Sequence, residues 1–165
     1  MEVVVEEGAV RQMLERIDTA LNPLAIAEFL GHKVDPYLRK RARARFTNEG
    51  DDASGKWAPL QEATQQIRAS MGYGPSHPIN RREDELYNYV TQTQGRVSIE
   101  PLGASLTFPP NYPGGDLGEK LTGAQLGGTT PSGRTWPARK VYALGESDLQ
   151  FVLLALTEHV SGGHL

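Results

Sequence analysis

The distribution of glycine and proline is the feature that most constrains this chain. The sequence has 18 glycines and 11 prolines among 165 residues, and they are concentrated between Gly72 and Pro137. Because both residues interrupt helices and strands, this distribution predicts a loop-rich middle between two helical ends. Alternating apolar and polar residues at 96–100 and 105–108 predict a β-hairpin within that middle. The sequence therefore predicts an α+β fold, in which N-terminal helices and a C-terminal helix pack on a small antiparallel sheet.

The length favours one domain covering residues 1–165. Within it, the segment 109–136 has too few apolar residues to pack alone, so we predict an extended Gly/Pro-rich surface loop that orders on a partner. The apolar runs are too short for a membrane span, and the acidic N-terminus is unlike a secretion signal. The absence of cysteine excludes disulfides and thiolate metal sites. We therefore expect a soluble protein of intracellular origin.

The apolar spacing predicts helices near both ends of the chain. Residues 9–21 and the segment after Asn22 have helical spacing, with Asn22 as N-cap and Pro23 in the first helical position. A kink or break is expected at Asp35-Pro36, and residues 3–5 can form a short strand. At the C-terminal end, Ser147 is the predicted N-cap of a helix that runs to about residue 159.

The C-terminal helix is apolar over more than one face. A helix of this kind is central to a core or buried against another subunit. Its residues Phe151, Leu153 and Leu154 are therefore candidates for a subunit interface.

A basic run, RKRARAR, lies in the predicted helix 35–46. It contains Arg39, Lys40, Arg41, Arg43 and Arg45. One interpretation is a solvated helix face, which is the commoner role of such a run. The other is a surface that contacts DNA or an acidic protein partner. Because the whole chain carries a formal net charge of −3, a free-standing nucleic-acid-binding domain is not expected.

The segment GDDASGKW, residues 50–57, differs by one residue from the phosphate-binding P-loop pattern. Trp57 occupies the position where Ser or Thr would bind magnesium, and Asp51 and Asp52 would repel phosphate. A calcium-binding loop also fails, because Ala53 and Gly55 stand where oxygen ligands are needed. The four histidines do not have zinc-ligand spacing, and no nucleophile or carboxylate pair has a catalytic context. We expect no cofactor, no metal, no small-molecule substrate and no enzymatic activity.

Two segments of the chain resemble the phage virion morphogenesis or tail completion family. The first is G-x-W-x-P-L followed by a threonine and a basic residue, and the second begins P-A-R-K before the terminal helix. The matching positions are Gly55, Trp57, Pro59, Leu60, Thr64 and Arg68 in the first segment, and Pro137 and Arg139 in the second. From the resemblance we expect Trp57 to anchor its loop by burying its ring. The amino-acid sequence of residues 70–83 is also similar to that of proteins from actinobacterial siphophages.

This resemblance implies a structural protein of the head–tail junction, a neck or tail completion protein that acts in virion assembly as an oligomeric ring. The implied partners are further copies of the chain in a hexameric or dodecameric ring, the adjacent neck and tail-tube proteins, and DNA in the lumen. The implied location is the virion, after assembly in the host cytoplasm. One alternative is the tail terminator ring, which caps the tail tube. Another is a DNA-binding assembly factor that is absent from the virion.

Overall fold

The computed structural model describes residues 7–74, 77–81, 83–107, 115–129, 131 and 133–162. The helices are α1 (Glu7–Leu21), α2 (Pro23–Phe29), α3 (Asp35–Asn48), α4 (Glu62–Ser70), α5 (Glu85–Gln92), α6 (Gly115–Leu126) and α7 (Glu146–Val160), with a π-helical turn (Leu30–Val34) between α2 and α3. The strands are β1 (Gly50–Asp51), β2 (Gly55–Lys56), β3 (Arg96–Glu100), β4 (Gly103–Thr107), β5 (Gly128–Thr129) and β6 (Thr135–Trp136). They form three antiparallel two-stranded sheets, so the predicted α+β class is confirmed.

Helix α2 begins where the sequence predicts. The Asn22 side chain accepts a hydrogen bond from the Ala25 backbone N–H at 3.0 Å, and Pro23 occupies the first helical position. An N-cap of this kind satisfies an N–H that has no partner within the helix.

The expected kink at Asp35-Pro36 is a π-helical turn rather than a break. Pro36 has no backbone N–H, so the hydrogen-bond ladder cannot continue unchanged through it. The ladder widens instead, and the Asp35 N–H donates to the Leu30 carbonyl oxygen. The Asp35 carboxylate does not cap a helix. It accepts hydrogen bonds from Arg39 Nε at 2.9 Å and from the Gly95 N–H at 2.7 Å.

The predicted hairpin is β3–β4. Its register pairs Val97 with Leu106, and β4 packs on α2 and the π-helical turn. The second strand begins two residues earlier than the sequence indicates, at Gly103, while Phe108 lies outside the described residues. The strand proposed at residues 3–5 also lies outside them.

Two hydrophobic clusters form the core, and α3 contributes to both. The first contains Ala42, Phe46, Trp57, Ile79, Leu86, Val90, Leu121, Ala124 and Val141. The second contains Phe29, Val34 and Ala155, with Leu30, Leu38, Leu106, Phe151, Val152 and Leu156 packed against it. Helix α3 thus connects the part of the chain around α5 and α6 with the part around α2 and α7.

The prediction of an extended surface loop over 109–136 is wrong for most of this segment. It contains α6 and the β5–β6 hairpin, while residues 109–114, 130 and 132 lie outside the described part. The few apolar residues suffice because Leu117, Leu121 and Ala124 recur at helical spacing. All three belong to or pack against the first core cluster. The glycines of α6 obscure this pattern in the sequence.

Candidate functional site

The two segments that carry the family resemblance lie against each other. The Trp57 Nε1–H donates a hydrogen bond to the Lys140 carbonyl oxygen at 3.3 Å. The Arg139 guanidinium donates to the carbonyl oxygens of Ala58 and Pro59 at 2.9 and 3.1 Å. Burial lowers the pKa of Arg139, and the negative charge of Glu49 opposes this effect. The two segments therefore hold each other through reciprocal bonds from side chain to backbone.

Trp57 anchors its loop as expected. Its side chain is 3% exposed and belongs to the first core cluster. The indole meets the Phe46 ring edge-on, with 5.4 Å between ring centroids and 88° between planes. This is a favourable geometry for an aromatic pair.

The other motif positions differ in their roles. Arg68 is buried and donates to the carbonyl oxygens of His77 and Pro78 at 3.3 and 3.1 Å, so it fixes the chain after α4. Leu60 packs against the first core cluster. The remaining positions, Gly55, Pro59, Thr64 and Pro137, are exposed.

GDDASGKW forms a closed hairpin, β1–β2, directly after α3. The Asp51 carboxylate accepts from the Ser54 N–H at 2.8 Å, and the Ser54 hydroxyl accepts from the Asp51 N–H at 3.0 Å. Gly50 has φ +118°, and a Cβ atom there would lie 2.1 Å from the Gly55 carbonyl oxygen. Glycine is therefore required at position 50. The amides of Asp51 and Ser54 bond within the turn rather than face a ligand.

Arg45, which the sequence places in the basic run, lies inside the molecule. It is 2% exposed, and it donates to the carbonyl oxygens of Val141 and Ala143 at 2.8 and 3.1 Å. Its guanidinium also forms an ion pair of 2.7 Å with the Asp51 carboxylate. The prediction that Arg45 contacts DNA or an acidic partner is therefore wrong, because its side chain is used within the fold.

Arg41 is the centre of a network of three carboxylates. Its Nε donates to Asp148 at 2.8 Å, and its terminal nitrogen pairs with Asp52 and lies 3.4 Å from Asp51. The hydrogen bond to Asp52, together with the nearby charges, raises the pKa of Arg41 above its ordinary value. The Arg41 charge is thus neutralised within the chain, and Arg41 is a poor candidate for contact with an anionic partner.

The remaining members of the basic run have different surroundings. Arg39 forms an ion pair with the buried Asp35, and Arg43 is exposed but donates to the Thr91 carbonyl oxygen at 3.2 Å. Lys40 is exposed and has no hydrogen bond or ion pair with any described residue. The run is therefore neither a wholly solvated face nor a continuous basic stripe.

Asp148 connects this network to the start of α7. Its carboxylate accepts hydrogen bonds from Arg41, from the Tyr37 hydroxyl at 2.9 Å, and from the Gly145 N–H at 2.9 Å. The predicted cap at Ser147 is wrong, because the N-cap is Gly145 and Asp148 is the third helical residue. Asp148 is fully buried and pairs with Arg41. The helix therefore starts where the Asp148 carboxylate can reach both the Arg41 guanidinium and the Gly145 N–H. Burial, reinforced by the hydrogen bond to Asp148, raises the pKa of Tyr37.

The network predicts a loss of stability in acid. Hydrogen bonds from Ser147 and then Arg41 lower the pKa of Asp52 from 3.8 to about 2. The pKa of Asp52 is lower in the folded state than in the unfolded state. The stabilisation by the Asp52 carboxylate is therefore complete above pH 3.8 and is lost as the pH falls through about 2. In wild type, the free energy of unfolding should decline between pH 3.8 and about 2, and replacement of Asp52 by asparagine should make this decline smaller. Urea denaturation at several pH values measures it.

The control for the acid experiment is Asp18→Asn, since Asp18 is exposed on α1. In that variant the free energy of unfolding should decline with falling pH as much as it does in wild type. An equal decline in wild type and Asp52→Asn would contradict the role given to Asp52.

The outer side of α7 carries three leucines that no other described residue buries. Leu149, Leu153 and Leu154 are 53%, 64% and 63% exposed, whereas Ala155 on the opposite side is buried. Phe151 does not share this exposure, because its ring stacks on Tyr37 with 3.7 Å between centroids. Of the three predicted interface residues, Leu153 and Leu154 are thus available on the surface, and Phe151 belongs to the internal packing.

The described residues contain no group of three or more His, Asp or Glu side chains arranged to hold a metal ion. None of the helices in the described ranges combines the length and apolar character needed to cross a membrane. The absence of a cofactor and of enzymatic activity stays a prediction.

Sequence reasoning missed the carboxylates that neutralise the basic run. The available signal is the spacing of Arg41 and Arg45, which lie one turn apart and so share a helix face. Asp51 and Asp52 follow shortly after that helix, and they were the nearest candidates for partners. Asp148 lies 107 residues from Arg41, so no local sequence pattern indicates that the two residues pair.

Comparison of the chain with protein-family models, with curated proteins and with solved structures finds no match in any of the three. Membership of the tail completion family therefore stays a prediction, and it depends on the two motif segments.

Proposed function

We propose that this protein is a structural subunit of the head–tail junction of a tailed phage, a neck or tail completion protein that assembles into a homo-oligomeric ring. The proposal is supported by the resemblance of the two motif segments, which contact each other through Trp57 and Arg139. In this view the motif residues stabilise the subunit, and the assembly surface lies elsewhere.

The observation that carries the proposal is the exposed leucine face of α7. Leu149, Leu153 and Leu154 are each more than half exposed on a helix that is anchored at its start by the Asp148 network. Exposed large apolar side chains on a well-anchored helix are typical of a surface that another subunit covers. A ring supplies such a cover for every subunit, because each copy contacts the next through the same pair of complementary surfaces.

The basic run does not favour the DNA-binding assembly factor. The charges of Arg41 and Arg45 are paired within the subunit, which leaves Lys40 and part of Arg43 to face a partner. Non-specific binding to DNA depends on several unpaired cations that neutralise phosphates. A structural subunit is therefore the function that the geometry supports best.

The oligomeric state tests the role of the leucine face. We expect native mass spectrometry of the purified protein to detect a closed oligomer, and a double variant, Leu153→Asp with Leu154→Asp, to be monomeric. Each leucine contributes about 1.5 to 3 kcal/mol when buried, so the loss of both should weaken association at least about 100-fold. Its melting temperature as a monomer should not fall, since both side chains are exposed within the subunit.

The matched control is Leu144→Asp, which changes a leucine of similar exposure outside α7. It should keep the oligomer. A monomeric wild-type protein would contradict the ring, and an oligomer in the double variant would place the interface elsewhere. Mass spectrometry of purified phage particles separates the virion subunit from an assembly factor, because only a subunit is present in ring stoichiometry.

A further inference from the structure

A groove of about 680 Å³ lies between α4, the start of α5, and α6. Its apolar lining includes Leu60, Ile67, Met71, Leu86, Ala124 and Trp136. Ile67 of α4 and Met71, which directly follows α4, are each more than half exposed. Large apolar side chains in a concave site are typical of a surface that binds a partner. No residue of α7 lines this groove, so it is distinct from the leucine face.

The opening of the groove is rimmed by carboxylates. These are Glu83, Asp84, Glu85, Asp116 and Glu119. Lys120 is the lysine among the lining residues, and it pairs with Glu85 and Asp116 at 2.7 Å each and with Glu83 at 3.6 Å. Arg81, beside the groove, pairs with Asp84 at 2.8 Å. Hydrogen bonds to Asp116 and then Glu85 raise the pKa of Lys120. These two cations are shared among the five carboxylates, so the rim keeps a negative charge.

Two arginines in the wall of the groove are buried and are not part of its exposed rim. Arg68 and Arg139 are 9% and 8% exposed, and their hydrogen bonds go to backbone carbonyl oxygens behind the groove. The described charges that face solvent around the opening are therefore mostly negative. An occupant must match an apolar floor and an acidic edge at the same time.

The walls favour a helix over an extended peptide. Most lining residues belong to α4, α5 and α6, whose backbone groups are paired within the helices. Trp136 comes from β6, which pairs with β5, and its indole donates to the Gly123 carbonyl oxygen at 3.1 Å. The described lining thus presents side chains for recognition, and an amphipathic helix is the segment that recognises a groove by side chains alone.

A buried polar atom at the same place is left unsatisfied. Asn80 lines the groove, and its Nδ2 is buried without a hydrogen-bond partner among the described residues. Such a donor destabilises a surface unless an acceptor is supplied. The terminal carbonyl groups of a helix are acceptors that lack partners within that helix.

We propose that this groove binds an amphipathic helix of a neighbouring protein that presents apolar side chains to the floor and lysine or arginine side chains to the acidic rim. The proposal goes beyond assembly of the ring, since it concerns a different surface and a different kind of partner. Its validity does not depend on whether the chain oligomerises through α7.

Binding of designed peptides tests the chemistry of the groove. The probe is a fluorescein-labelled peptide of leucine and lysine, about 18 residues or five helical turns, patterned so that the leucines share one face. The matched peptide has glutamate in place of every lysine. Fluorescence polarisation with the full chain should show binding of the leucine–lysine peptide and at least about tenfold weaker binding of the leucine–glutamate peptide.

Variants of the protein locate the binding site. Ile67→Gln combined with Met71→Gln should weaken binding of the leucine–lysine peptide about tenfold or more, because the floor loses apolar contact. Glu83→Gln combined with Glu119→Gln should weaken it about threefold to fivefold at low salt. The matched control is Glu15→Gln combined with Glu158→Gln, which makes the same charge change at exposed positions on α1 and α7. Melting temperatures identify any variant that is misfolded.

Specific losses in the groove variants, with wild-type binding in the control, would support the proposal. Equal losses in the rim variant and the control would show that binding follows the overall charge, and would overturn it. Equal binding of both peptides, or no binding of the leucine–lysine peptide to the wild-type chain, would overturn it as well. None of these outcomes depends on the native mass spectrum, so failure of the groove and failure of the ring can be distinguished.

Discussion

Replacement of Trp57 by alanine is expected to lower the free energy of unfolding by about 3 to 5 kcal/mol, as large aromatic truncations in cores do. The indole is buried, packs edge-on against Phe46, and donates to the Lys140 carbonyl oxygen. Alanine leaves a cavity between two segments that otherwise hold each other, and it removes the hydrogen bond. Urea unfolding followed by circular dichroism measures the loss, and the melting temperature should fall by about 10 °C.

The second tryptophan of the chain provides the control for Trp57. Trp136 is 38% exposed, so Trp136→Ala should destabilise the protein by less than half as much. A Trp57→Ala variant as stable as Trp136→Ala would contradict the anchoring role of Trp57. A Trp57→Phe variant should lie between wild type and Trp57→Ala, because phenylalanine keeps part of the packing and lacks the N–H group.

Replacement of Arg45 by alanine is expected to destabilise the protein by about 3 to 5 kcal/mol, the range for breaking a buried ion pair. The change leaves the carbonyl oxygens of Val141 and Ala143 without their donor, and it removes the closest cation from the Asp51 carboxylate. A buried charge without its partner costs more than the pair itself contributes. The measurement is again the free energy of unfolding from urea denaturation.

Lys40→Ala is the matched control for Arg45→Ala, since it removes a positive charge from the same helix at an exposed position. Its effect should stay within about 0.5 kcal/mol. The double variant Arg45→Met with Asp51→Asn should regain part of the loss, because the uncompensated charge is gone. Equal effects of Arg45→Ala and Lys40→Ala would show that Arg45 is a surface residue, contrary to its position in the structure.

Local patterns predicted the parts of the fold that depend on neighbouring residues. The Asn22-Pro23 pair starts α2 because an N-cap acts on amides two or three positions away. The alternation at 96–100 identified β3 for the same reason, since side chains on a strand alternate between two faces. Helix α6 was missed because its few apolar residues are stabilised by α5, which is distant in the sequence, and its glycines lower the intrinsic helix propensity.

The candidate site was less predictable than the fold. A run of basic residues indicates charge, but it does not show whether the charges are paired. Asp148 reaches Arg41 from another helix at the far end of the chain, and that contact exists only after both helices are placed. For Leu153 and Leu154 the residue type was evident but the exposure was not. Their apolar character is evident from the sequence, but only the packing of Phe151 and Ala155 shows which side of α7 remains uncovered.

The Arg41–Asp148 network has a consequence for the energetics of assembly. It fixes the first turn of α7 against α3 and the β1–β2 hairpin, so the orientation of the leucine face is set within a single subunit. A surface that is already ordered loses little conformational entropy when it is covered, and more of the apolar contact then appears as affinity. In the ring proposed here, subunits would associate as preorganised bodies.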